Sequence, residues 1–136
     1  MKKQIALIIV MVFFVLSGCS MLEDANNSLD YVNESTEYIN NLSTFAEEAT
    51  SLDGAELESR LENLKGNIQD FMELEAPDFA ADIHKELESK SEVLLDATNN
   101  VLQSGEIAID QLQQSEIFQT IGNITELLNQ IEQLGS

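Results

Sequence analysis

The sequence is poor in the residues that carry chemistry. Its 136 residues include one cysteine, one proline, one histidine and no tryptophan. A single cysteine excludes an internal disulfide framework, a multi-cysteine zinc site and an iron–sulfur cluster. A single imidazole, His84, excludes the multi-histidine catalytic metal sites and the paired Glu-x-x-His di-iron arrangement. Without tryptophan there is no indole for sugar stacking. Positive charge is also scarce: six Lys and Arg stand against 25 Asp and Glu, for a formal net charge of −19. No basic face remains to neutralise phosphates, so nucleic acid is excluded as a partner. The length allows one small domain and not two.

What is present begins at the N-terminus. Lys2 and Lys3 precede an unbroken run of twelve apolar residues, Ile5 to Leu16. As a helix that run spans roughly 18 Å, against a hydrocarbon core about 30 Å thick. It is too short for an ordinary transmembrane helix and suits the apolar region of a signal peptide. The following Leu16-Ser17-Gly18-Cys19 resembles the lipobox of bacterial lipoproteins. That resemblance implies cleavage between Gly18 and Cys19, a leader over 1–18, and a domain over 19–136 anchored by a lipid on Cys19. Two or more acyl chains anchor stably where one is marginal. The only thiol is then blocked, leaving no redox chemistry.

Loss of Lys2 and Lys3 would leave 25 acids against Arg60, Lys65, Lys85 and Lys90, a net charge of −21. Each of these cations follows an acid by one helical turn: Glu56, Glu62, Asp82 and Glu86 respectively. Such pairs support a helix surface by about 0.2–0.5 kcal/mol each. The remaining acids make a solvated, negative surface that an anionic leaflet repels.

Helical periodicity starts soon after Cys19. Leu22, Ala25, Leu29, Val32, Thr36, Ile39 and Ala46 lie at heptad-like spacing, with Ser43 in the missing step and Leu42, Phe45 and Ala49 widening the stripe. The spacing predicts a first helix over roughly 22–50. Asp53-x-x-Glu56 reads as a capping box opening a second helix. Its stripe is Leu57, Leu61, Leu64, Ile68 and Phe71, and it ends near Glu75. Pro77 suits the first position of a third helix, with Asp78 in its first turn. That helix carries Phe79, Ile83, Leu87, Leu94, Ala97 and Val101, with Lys90 on one step. It ends near Gly105 or continues to about Leu112; a loop over 104–114 is the favoured alternative. Ser115 then caps a last helix bearing Ile117, Ile121, Ile124, Leu128 and Ile131.

No segment alternates with period two. The expected fold is all-α: a compact antiparallel bundle of about four amphipathic helices following a cleaved signal peptide. An extended hairpin that needs a partner is the competing arrangement. Four separate stripes and short connections favour the closed bundle.

Several stretches resemble a family of small, uncharacterised lipoproteins from Gram-positive bacilli. They are Leu16-Ser17-Gly18-Cys19-Ser20, Leu29-Asp30-Tyr31-Val32-Asn33-Glu34, Thr36-Glu37-Tyr38-Ile39-Asn40, Leu74-Glu75-Ala76-Pro77 and Leu128 to Gly135. The resemblance implies a lipid anchor on the extracytoplasmic face of the cell membrane. It supplies no catalytic residues.

The chemistry-bearing residues do not assemble. Asp82, His84 and Ser89 could be grouped into a triad on paper, but no nucleophile elbow supports it. His84 lies off the apolar stripe and reads as a boundary residue. The carboxylate pairs Glu47-Glu48, Glu73/Glu75 and Glu86/Glu88 read as solvated faces and not as the cleft that acid–base work requires. No EF-hand loop and no phosphate-binding glycine loop is present. No enzyme activity, cofactor or metal is expected. Gly66 and Gly122 fall inside helices, as close-approach points, as hinges or as simple drift. Tyr31 and Tyr38 lie seven residues apart on one helix face and make a candidate contact strip, or an edge of the core. The expected function is that of a membrane-tethered, non-enzymatic module binding another envelope protein. The alternative is a small-ligand or lipid-binding bundle with a cavity near Phe71, Phe79 and Phe118.

Overall fold

The computed structural model describes residues 27–104, 112 and 115–136. The leader, the Cys19 site and most of the loop expected over 104–114 lie outside these residues. Helix α1 covers 27–48, and a 3-10 turn follows at Ala49–Ser51. Helix α2 is Gly54–Met72. A second 3-10 turn at Asp78–Ala80 leads into α3, Ala81–Ser104. Helices α4, Glu116–Thr125, and α5, Leu128–Leu134, form one interrupted arm. Among the described residues there is no strand, so the chain is an all-α bundle.

Local chemistry explains the boundaries. The Asp53 carboxylate accepts the Glu56 amide at 2.9 Å, and Glu56 Oε2 accepts the Asp53 amide at 3.4 Å. This reciprocal box opens α2 as its sequence predicts. Pro77 takes the cap position and not the first helical one; its carbonyl accepts the Ala80 amide at 2.9 Å. The 3-10 turn that follows has fewer residues per turn than an α-helix and so shifts the helical phase. Ala80 is therefore fully buried and Phe79, expected on the inner stripe, is 47% exposed. Ser115 stands at the cap of α4, but its hydroxyl donates backward to the Leu112 carbonyl and caps nothing. At Glu126–Leu127 the ladder tightens: the Leu127 amide donates to Ile124 O at 3.0 Å. Leu127 is buried there, and Leu128 only partly.

The second helix buries all five residues of its expected stripe, Leu57, Leu61, Leu64, Ile68 and Phe71. In α1 the expected Ile39, Leu42, Phe45 and Ala49 are buried, but the N-terminal half turns Tyr31, Ser35 and Tyr38 inward, with Val32 and Thr36 only partly buried and Leu29 51% exposed. In α3, likewise, Ser91 and not Lys90 lies inside. Lys90 instead reaches back to Glu86 at 3.8 Å.

Helix α1 touches every other arm. The Tyr38 ring stacks on Phe71 of α2 with centroids 4.2 Å apart. Ser43 Oγ meets Thr125 Oγ1 of α4 at 3.3 Å, and Phe45 packs against Phe118. Tyr31 meets His84, and Tyr38 meets Ser91. Both partners lie seven residues apart, as the tyrosines do, so α1 and α3 run parallel in constant register. The α1–α2 pairs run the other way: Glu48 with Arg60, then Tyr38 with Phe71. Close to Gly135, Val32 Cγ1 stands 3.2 Å from where a side chain would begin. The final arm thus returns to the start of α1.

Candidate functional site

The seam between α1 and α2 carries the clearest surface feature. Because the two helices are antiparallel, residues 30, 34, 37 and 41 of α1 form one wall, facing 67, 70 and 74–75. Two adjoining clefts result, with volumes of about 320 and 340 Å³. They share Glu34 and Leu74. The floor is aromatic and apolar: Tyr31, Tyr38, Phe71 and Leu74. The walls carry Asp30, Glu34, Glu37, Asp70 and Glu75, with no Lys or Arg in either cleft.

Beyond Asn41 and Asn67 a smaller cleft of about 90 Å³ continues the line. Arg60 sits in it, with a guanidinium nitrogen 2.6 Å from Glu48 Oε2. Arg60 therefore crosses to α1 and does not pair with Glu56 as its spacing suggests. Both side chains are close to half exposed, so the pair is worth at most about 1 kcal/mol.

Tyr31 and Tyr38 do not form an outward contact strip. They are 2% and 5% exposed, because their face of α1 points at α3. The Tyr38 hydroxyl and Ser91 Oγ are hydrogen bonded at 2.8 Å in the interior. Burial pushes the Tyr38 phenol up to about 12, and the Ser91 contact offsets part of that rise. Tyr31 is also raised, again by burial, with partial relief from the Ser35 hydroxyl. Its own hydroxyl lies 3.2 Å from His84 Nδ1, hydrogen bonded in the direction the imidazole tautomer sets. The His84 ring is half-buried, packed edge-on to Tyr31 at 5.7 Å and tilted against Phe71 at 5.4 Å. It is a boundary histidine engaged in packing, while Asp82 and Ser89 are exposed.

Among the described residues, no group of three or more His, Cys, Asp or Glu could hold a metal ion. None of the helices there is long and apolar enough to cross a membrane. Phe71, Phe79 and Phe118 do not converge: Phe71 floors the α1–α2 groove, Phe79 is exposed and Phe118 packs on Phe45. The groove itself escaped sequence reasoning. Its acids are scattered from 30 to 75 and meet only once α1 and α2 pair. The one available signal was the Asp30, Glu34, Glu37, Asn41 line at helical spacing.

Fold and surface define an acidic helical bundle with a single-signed groove. The chain belongs to a family of unknown function, DUF6376, whose match covers residues 31–134. A relative from Bacillus subtilis (strain 168), the uncharacterized lipoprotein YybP, is 35% identical over 130 residues. That match covers 87% of this chain and 88% of the relative. No solved structure matches.

Proposed function

We propose that this chain is a cell-envelope lipoprotein, held on the extracytoplasmic face of the membrane by a lipid on Cys19. Its bundle acts without catalysis, as an interaction or accessory module for another envelope protein. The carrying observation is the Leu16-Ser17-Gly18-Cys19 pattern after a short apolar run, in a chain whose relative is itself called a lipoprotein. The bundle adds a second support. The buried Tyr38 and Ser91 hydroxyls are bonded to each other, and the clefts along α1 and α2 open at the surface.

The test is Cys19→Ala, followed by membrane fractionation and labelling with a clickable fatty acid. The expected outcome is unprocessed or released protein without label. A processed mutant that stays on the membrane overturns the anchor. Photocrosslinking from exposed positions on the lipidated protein tests the module: one abundant envelope partner is expected. Failure to capture any partner from several faces counts against it.

A further inference from the structure

Resting on the interaction-module reading, we infer that the α1–α2 groove is the docking surface, and that its occupant is a cationic amphipathic segment of a partner protein. Three observations converge. The groove has room: the two joined clefts hold about 320 and 340 Å³. From Asp30 to Asn41 it runs about 16 Å along α1, the length of three helical turns. The half-buried Leu74, with Ala76 and Pro77 at the end of the second cleft, offers a surface suited to apolar side chains.

The charge is the third observation. All five ionisable wall residues, Asp30, Glu34, Glu37, Asp70 and Glu75, are acidic and exposed. Among the described residues, none has a cation within ion-pair distance, whereas Arg60 and Lys90 are paired elsewhere. A cleft lined by one sign of charge above a low-dielectric floor concentrates the field and draws counter-charge into itself. Lys or Arg on the flanks of a helix, with apolar residues beneath, would satisfy walls and floor together. A second copy of this chain would bring acid against acid and is disfavoured. The groove also has a direction. Arg60, paired with Glu48, stands in the small cleft, so that end carries a cation where the rest carries unpaired acids.

The test uses the full chain, solubilised from membranes. The probe is a synthetic helical peptide of about four turns, with Lys at i, i+4 and i+7 and Leu on the adjoining face. Its binding is measured by fluorescence anisotropy. The groove variant carries Glu34→Gln, Glu37→Gln and Asp70→Asn. The control carries Glu58→Gln, Glu92→Gln and Asp96→Asn, three exposed acids outside these clefts. Losing three charge contacts should weaken binding about tenfold in the groove variant, with less than about twofold in the control. Equal losses in both, or a scrambled peptide binding as well as the amphipathic one, would mean diffuse attraction and overturn the groove. So would no binding at all. A crosslinked partner mapped to another face would sink the groove while leaving the module standing, so the two failures are separable.

Discussion

Tyr38 concentrates several forces in one side chain. Its ring stacks on Phe71, its hydroxyl is bonded to Ser91, and burial raises its phenol to about 12. Tyr38→Phe keeps the stack but leaves Ser91 Oγ buried without that partner. The expected loss is about 1–2 kcal/mol in chemical denaturation. The same burial makes stability depend on alkaline pH. In the unfolded chain the phenol ionises near 10, whereas the folded state holds the proton to about 12. The stabilisation is fully present below pH 10 and is lost as pH rises through 12. It amounts to roughly 2–3 kcal/mol. Wild type should lose denaturant resistance over that window, and Tyr38→Phe should lose less.

At the scale of the element, what the sequence disclosed depended on whether the inner face was built from apolar residues alone. Helix α2 was legible in full, since its Leu, Ile and Phe positions and its capping box are local signals. Asp53→Ala should cost about 1 kcal/mol through loss of that cap, read from the thermal midpoint. Helix α1 was legible as a helix, and in phase from Ile39 onward, but not over its N-terminal half. Tyr31, Ser35 and Tyr38 count as polar or ambiguous in a stripe, yet they lie inside because α3 answers two of them with His84 and Ser91. Those partners sit 53 residues away, beyond any local pattern. The same holds for Ser91 in α3. The groove was illegible for a related reason, since neither of its walls exists until α1 and α2 pair. Gly122, exposed within α4, has nothing near enough for a side chain to strike. Close approach is therefore not its purpose. Gly122→Ala should stabilise the protein by about 0.5–1 kcal/mol in denaturant titrations.

For the whole molecule, charge is the dominant fact. Four helical arms share one core of buried Leu, Ile, Ala and aromatic side chains, each large one worth about 1.5–3 kcal/mol on burial. The chain carries 25 acids, and their mutual repulsion opposes compaction. Salt screens such exposed charges, so the melting temperature should rise between low and physiological ionic strength. A flat or falling midpoint would show that the repulsion is already relieved. The overall class was legible from periodicity because every helix has an apolar stripe and nothing alternates as a strand does.

The return of the last arm to Val32 settles a practical matter of orientation. With α1 about 32 Å long from residue 27 to 48, both ends of the described chain gather at one pole and the α1–α2 bend at Leu52–Gly54 marks the other. A dye at Ser136→Cys should therefore transfer energy more efficiently to a partner dye at Asn33→Cys than to one at Asp53→Cys.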